Sequence, residues 1–238
     1  MKKAQCLILA GGLATRMRPI TERIPKALIP IRDEKPFVDY QLDWLARHGV
    51  SDVVFSIGYK GQMIQDHVGD GARFGLRVRY VDEGTDLRGT AGALRLAFEA
   101  GVLAPEFLVT YGDSFLPVDF GAVYEAFQKS GLPALMTVFK NAEQFDASNV
   151  CYESGRVTLY DKFLKDKPAT MQYIDYGLSA FRREVVAQEV QPGAKADLAD
   201  LFHRLSVQGR LAGFEVTERF YEIGSPSGLA DFRQLTWV

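Results

Sequence analysis

Cys6-Leu7-Ile8-Leu9-Ala10-Gly11-Gly12-Leu13-Ala14-Thr15-Arg16-Met17 is the stretch from which the fold can be read. Its first five residues are an unbroken apolar run, which reads as a short buried strand. The strand runs straight into two glycines. Consecutive glycines let a backbone turn sharply and bring its N–H groups close to a bound anion. Arg16 adds a permanent, forked cation suited to phosphate oxygens. Neither the P-loop spacing nor the dinucleotide fingerprint is present. Taken alone, the segment also fits an ordinary glycine-rich turn after a strand.

Outward from this stretch the chain alternates between two periods. Phe37, Tyr40, Leu42, Trp44 and Leu45 stand at helical spacing and predict a helix over Pro36 to His48, stopped by Gly49. Asp52 to Ile57 reads as a second strand, Gln62 to Val68 as a short helix and Leu76 to Val81 as a third strand. Thr90 to Ala100 reads as a helix closed by Gly101, and Phe107 to Tyr111 as a fourth buried strand. Such alternation implies parallel pairing through right-handed crossovers. The expected fold class is therefore α/β, a three-layer sandwich around a mostly parallel, Rossmann-like central sheet. Ligands of these sheets sit beyond the carboxyl ends of the strands. The loops after Ala10, Val81 and Tyr111 should then share one edge.

The second half is less regular. Leu135 to Phe139 reads as a strand, and Val150 to Tyr152 and Arg156 to Tyr160 as a hairpin around Glu153-Ser154-Gly155. Tyr173 to Phe181 and Leu211 to Val216 read as strands, Leu198 to Ser206 as a helix, and Tyr221 to Ile223 as a short apolar piece. Pro226 to Leu235 fits a terminal helix with Ser225 as its cap. No repeat or low-complexity linker divides the chain, so residues 1–238 are expected to form one unit. Residues from about 1 to 140 would make a core, and those from about 141 to 238 a smaller substrate-facing part.

Bulk properties narrow the function. The 238 residues carry 47% apolar and 24% charged residues and a net charge of −2, an ordinary globular balance that argues against a nucleic-acid partner. Two cysteines, Cys6 and Cys151, make neither a disulfide framework nor a zinc site. The apolar stretch after Met1-Lys2-Lys3 is too short for a signal peptide, and no run is long enough to span a membrane. A cytoplasmic location is the resulting expectation.

Two further segments carry chemistry. Pro25-Lys26-Ala27-Leu28-Ile29-Pro30 sets a lysine between prolines, which restrict the backbone and aim the side chain. A pre-aimed ammonium is useful where charge builds on a phosphate. Leu108-Val109-Thr110-Tyr111-Gly112-Asp113-Ser114 places an aspartate just past a strand, on the ligand-facing edge. Mg²⁺ takes one or two carboxylates together with phosphate oxygens and water, and Asp113 is the natural ligand. His48, His67 and His203 have no spacing that suggests a metal site or a triad.

Gly11-Gly12-x-x-Thr15-Arg16-Met17 followed by Pro25-Lys26 resembles the signature loop of the sugar-1-phosphate nucleotidyltransferases, also called sugar-nucleotide pyrophosphorylases. Glu83-x-x-x-Leu87-Arg88-Gly89-Thr90-Ala91-Gly92 resembles that family's second nucleotide loop, with Arg88 where a glycine is usual. Gly112-Asp113 matches its metal-binding Gly-Asp. Tyr221-Glu222-Ile223-Gly224-Ser225-Pro226 resembles a segment that more often carries Asp, whose carboxylate completes the metal site.

The resemblance implies a transferase that joins a nucleoside monophosphate from an NTP to a sugar 1-phosphate, with Mg²⁺ held by Asp113 and Glu222. Arg16, Lys26 and Asp113 would carry the chemistry. Leu9, Ala10, Gly11, Gly12, Thr15 and Arg16 would hold the nucleotide from the first loop, joined by Glu83, Gly89, Thr90 and Ala91 from the second and by Gly112. Lys162 in Tyr160-Asp161-Lys162 would meet the sugar phosphate, with Asn149, Asp175 and Gly177 near the sugar hydroxyls. The short form ending in Glu-Ile-Gly-Ser-Pro looks like the heptose and mannose 1-phosphate guanylyltransferases. Uridylyltransferases of N-acetylmuramate 1-phosphate look similar too. A sugar-nucleotide-binding regulatory relative without turnover, and a homo-oligomeric assembly, both stay open at this point. A retaining glycosyltransferase would want Asp-x-Asp after the fourth strand, where this chain has Gly112-Asp113-Ser114.

Overall fold

A computed structural model describes residues 3–141 and 147–236 of the chain. Met1 and Lys2, part of the N-terminal stretch read above, lie outside the described residues. The first half runs β1 (Ala4–Ala10), β2 (Pro30–Arg32), β3 (Lys35–Pro36), α1 (Phe37–Arg47), β4 (Val50–Ile57), α2 (Gly61–Val68), β5 (Arg77–Asp82), α3 (Gly89–Glu99), β6 (Glu106–Tyr111), β7 (Ser114–Phe115) and α4 (Phe120–Ser130). The second runs β8 (Ala134–Lys140), β9 (Val150–Glu153), β10 (Arg156–Tyr160), β11 (Tyr173–Arg182), α5 (Arg183–Glu189), α6 (Leu198–Val207), β12 (Leu211–Val216), β13 (Tyr221–Glu222) and α7 (Pro226–Arg233).

The apolar run that opened the reading becomes β1, hydrogen-bonded in parallel to β4 on one side and β6 on the other. Its side chains alternate between two cores. Cys6 and Ile8 pack with α1, α2 and α4, while Leu7 packs with α3, α5 and α6. A strand buried on both faces needs no polar face, which is why it reads as continuous rather than alternating. The three layers are therefore helices, sheet and helices, as expected.

One nine-stranded sheet runs through both halves in the order β5-β4-β1-β6-β11-β8-β12-β10-β9. It is parallel from β5 to β6, the stretch where strands and helices alternate in sequence. β11 then inserts antiparallel between β6 and β8. The hairpin of β9 and β10 turns at Ser154 and Gly155, both with positive φ, as a two-residue hairpin loop demands. Helices α4 and α5 lie outside the expectations from sequence. The cap of α4 is explicit: Asp119 Oδ1 accepts from Ala122 N at 3.1 Å.

A third, smaller core joins the chain ends. Met17 of the glycine loop packs with Phe37, Phe115, Ile223 and Phe232. Phe232 of α7 meets Phe37 edge-on at 5.1 Å. This cluster fixes the glycine loop against α7, whose N-terminus is capped by Ser225 Oγ accepting from Gly228 N at 3.1 Å, as expected. No helix among the described residues is long and apolar enough to cross a membrane.

Candidate active site

The ends of β1, β5 and β6 meet on one edge, and a cavity of about 270 Å³ opens there. Leu9, Ala10, Gly11, Gly12, Lys26, Glu83, Gly89, Thr90, Gly112 and Asp113 all line it. So do Tyr111, Ile64 and Leu87, which the sequence reading did not assign to the site. Tyr111 carried a usable signal, since it ends a strand directly before Gly112-Asp113.

Glu83 stands at the cavity's far wall. Its Oε1 accepts from Ser56 Oγ at 3.0 Å and its Oε2 from Arg88 N at 3.3 Å. Gly11 lies close against this carboxylate: a Cβ there would lie 2.6 Å from Glu83 Oε1, and the end of the Glu83 side chain would have to shift. The first loop and the third strand are thus packed through a missing side chain.

Lys26 begins a 3-10 turn after Pro25 and points across the cleft, where its Nζ lies 2.7 Å from Asp113 Oδ2. Both side chains are mostly buried, at 20% and 28% exposure, so the pair is partly shielded from solvent screening. The backbone around Asp113 is held from α1. Gln41 Nε2 donates to Tyr111 O and to Ser114 O, both at 2.8 Å, bracketing Gly112-Asp113. Gln41 gives no sign in sequence, because its role depends on the packing of α1 beneath the turn.

Glu222 arrives from the other end of the chain. β13 pairs antiparallel with β7, placing Glu222 opposite Ser114, and Ile223 N donates to Asp113 O at 2.9 Å. Glu222 Oε2 accepts from Gly224 N and Oε1 from Ser225 Oγ, each at 2.5 Å. The open position over Gly224 Cα shows the convergence. A Cβ placed there would lie 2.5 Å from Glu222 Oε2 and 3.1 Å from both Arg16 Nη2 and Asp113 Oδ2. Arg16, Lys26, Asp113 and Glu222 therefore come together, with Lys26 and Asp113 on the cavity wall and Arg16 and Glu222 beside it, outside the lining residues. No group of three or more His, Cys, Asp or Glu side chains forms a metal cage among the described residues. A pair of carboxylates with spare oxygen lone pairs is instead the donor set Mg²⁺ accepts.

Other expected residues stand elsewhere. Thr15 is exposed and outside the cavity wall. Ala91 is 1% exposed, packs into the core and gives its N–H to Ala196 O at 3.0 Å. The second loop thus turns Ala91 into the core, away from the cavity that Gly89 and Thr90 line. Its small residues face the Ala194–Ala196 backbone, and at Gly89, with φ +74°, a Cβ would lie 2.5 Å from Ala196 O.

Of the residues expected near the sugar, Asn149, Asp175 and Gly177 come together. Asn149 Oδ1 accepts from Asp175 N at 3.2 Å, and Asp175 Oδ1 accepts from Gly177 N at 2.9 Å. Burial pushes the Asp175 carboxyl up to about 6, opposed by the Gly177 N–H and the Lys162 ammonium. Lys162 itself is exposed. The Tyr111 phenol is held well above its ordinary value, first by burial and then by Asp175, Tyr160, Asp197 and Asp113. Tyr111 thus stands within electrostatic reach of both Asp113 at the cavity and Asp175. The histidines are structural: His67 Nε2 contacts Asp39 Oδ1 at 2.7 Å, and His203 Nδ1 contacts Tyr160 O at 2.8 Å.

Residues 5–235 match the nucleotidyl transferase family. The chain belongs to that family. It is 33% identical over 232 residues to the N-acetylmuramate alpha-1-phosphate uridylyltransferase of Neisseria meningitidis, covering 97% of each chain. It is 34% identical over 115 residues to the D-glycero-alpha-D-manno-heptose 1-phosphate guanylyltransferase of Campylobacter jejuni, covering 48% of this chain and 50% of that one. Several curated relatives are longer, and the matches span from 49% to 65% of their length. In fold the chain is similar to a UDP-glucose pyrophosphorylase solved with UDP-glucose, with a TM-score of 0.79 at 19% identity and coverage of 98% and 97%.

Proposed function

We propose that the protein transfers a nucleoside monophosphate from an NTP to a sugar 1-phosphate and releases pyrophosphate. The observation that carries this is the convergence of Arg16 and Glu222 with Asp113 over Gly224, with Lys26 paired to the same aspartate. An oxygen of the sugar phosphate attacks the NTP α-phosphorus in line. A new P–O bond forms, the bond to the bridging oxygen breaks, and its electron pair leaves with pyrophosphate. No protein nucleophile is needed, so catalysis is positioning and charge neutralisation. Arg16 and Lys26 neutralise the leaving pyrophosphate. Asp113 and Glu222 would hold Mg²⁺, which when bound screens the repulsion between the two anions.

The N–H groups and small residues of the first loop, Gly11 and Gly12, admit the triphosphate, while Glu83, Gly89 and Thr90 border the nucleoside. We assign residues 1–140 chiefly to the nucleotide and 141–238 chiefly to the sugar phosphate, through Asn149, Lys162, Asp175 and Gly177. The substrates we favour are GTP with D-glycero-alpha-D-manno-heptose 1-phosphate or mannose 1-phosphate, supported by the C-terminal Glu222-Ile223-Gly224-Ser225-Pro226 and the Campylobacter jejuni relative. A second reading, uridylyl transfer onto N-acetylmuramate 1-phosphate, has the end-to-end match to the Neisseria meningitidis protein in its favour. Consumption of an NTP suits a cytoplasmic protein. The test is a pyrophosphate-release screen of four NTPs against neutral and carboxylated sugar 1-phosphates. GTP with a manno sugar is the pair expected to turn over fastest. Release from no pair would leave the binding-only reading in possession.

A further inference from the structure

The loop that opens α3 is bound to the second half of the chain. Ala91 N and Gly92 N both donate to Ala196 O, at 3.0 and 3.2 Å, and Ala196 N donates to Arg88 O at 2.9 Å. The first-turn amides that a helix usually leaves for an anion are therefore taken by a carbonyl. What still faces the cavity from this loop is Leu87, Gly89 and Thr90. The Thr90 hydroxyl is doubly held: it accepts from Leu198 N at 2.7 Å and donates to Asp197 Oδ1 at 3.2 Å. Asp197 Oδ1 also accepts from Ala199 N at 2.8 Å, which caps α6. Its charge reaches the phenols of Tyr111 and Tyr160 as well.

We propose that Asp197 is a positioning residue for the nucleotide: through the Thr90 hydroxyl it fixes Gly89 and Thr90 at the cavity wall. It acts without touching substrate. The inference rests on the cavity taking an NTP, as proposed above. A hydroxyl with one donor and two acceptor sites can satisfy Leu198 N–H and Asp197 together. The hydrogen bond to a carboxylate is the stronger kind, so its loss should be felt in loop geometry rather than only in α6.

Nucleotide binding by calorimetry, with the NTP alone, reads this without turnover. Asp197→Ala and Thr90→Val should each weaken NTP binding by about tenfold, the scale of one hydrogen bond to a charged group. The double variant should be no weaker than Thr90→Val alone, because the valine already removes the contact to Asp197. Thr90→Ser keeps the hydroxyl and should restore affinity. Asp197→Asn keeps the α6 cap and an acceptor, and should fall between wild type and Asp197→Ala. On a turning-over pair, KM for the NTP should rise more than kcat falls. Unchanged NTP affinity in Thr90→Val, or additive losses in the double variant, would reduce Asp197 to a helix cap and overturn the proposal. A wild type that binds NTPs but releases no pyrophosphate would strike the proposed transfer and leave this affinity comparison intact. A wild type that binds no NTP would overturn both.

Discussion

Two glycine-containing loops flank the cavity, and they use their glycines for different physical reasons. In the first, a Cβ at Gly11 would push on the end of the Glu83 side chain, whereas one at exposed Gly12 would meet nothing within 4 Å. In the second, Gly89 is small and left-handed because the Ala196 carbonyl occupies the place of its Cβ. The first loop keeps a face to the cavity. The second is largely spent on holding the two halves of the chain together. Similar strings of small residues thus do unlike work, and the difference lies in what the rest of the chain packs against them.

This contrast can be broken at several strengths. The largest effect should come from the charges beside the first loop. Asp113→Ala and Lys26→Ala are each expected to cut kcat at least about 100-fold, read by pyrophosphate release on protein shown to be folded by circular dichroism. Chelating divalent cations should abolish turnover and added Mg²⁺ restore it. Next comes the second loop: Gly89→Ala forces both a contact with Ala196 O and a left-handed alanine, and should cost about 2 kcal/mol in thermal unfolding. The same substitution at Gly12 meets nothing within 4 Å. If Gly89→Ala proved as mild as Gly12→Ala, the two loops would not differ as described.

A smaller effect belongs to Asp175. Its carboxyl is raised to about 6 by burial from an ordinary 3.8. Below about pH 4 it is protonated folded or unfolded and imposes no penalty. As pH rises toward 6 the unfolded chain ionises first, so stability is lost and stays lost above it. Asp175→Asn should therefore gain on the wild type between pH 4 and 6, by on the order of 1 kcal/mol, and hold that gain at pH 8. A gain already present at pH 3 would assign it to something other than ionisation. Smallest of all, Gly12→Ala should move stability by less than about 0.5 kcal/mol while raising the KM for NTP, since its space is needed by ligand and not by the fold.

Local pattern carried much of this. β1, β4, α1 and β12 stand where apolar spacing puts them, and the Ser225 cap and the Ser154-Gly155 turn follow from residue chemistry alone. Lys26, Asp113 and Glu222 were legible because each sits in a short motif beside a strand end or a proline. α4 carries local signals of its own in Asp119, its apolar spacing and Gly131, which the expectations passed over. The insertion of β11 between β6 and β8 has no local signal, since antiparallel partners far apart in sequence are chosen by the whole sheet. Gln41 and the Thr90–Asp197 contact escape for the same reason: each is meaningful through a neighbour 70 or more residues away.

The pairing of Glu222 with Ser114 has a consequence in time. A ribosome releases the strands, Lys26 and Asp113 well before Tyr221 and Glu222 emerge. At roughly 5–20 residues per second the delay is on the order of ten seconds. During that interval the half-made protein has its basic loop and one carboxylate but lacks the strand that brings the other. With Glu222 as a metal ligand, as proposed, a nascent chain stays idle until the segment from Tyr221 is threaded into place, and truncation before Tyr221 should leave it idle for good.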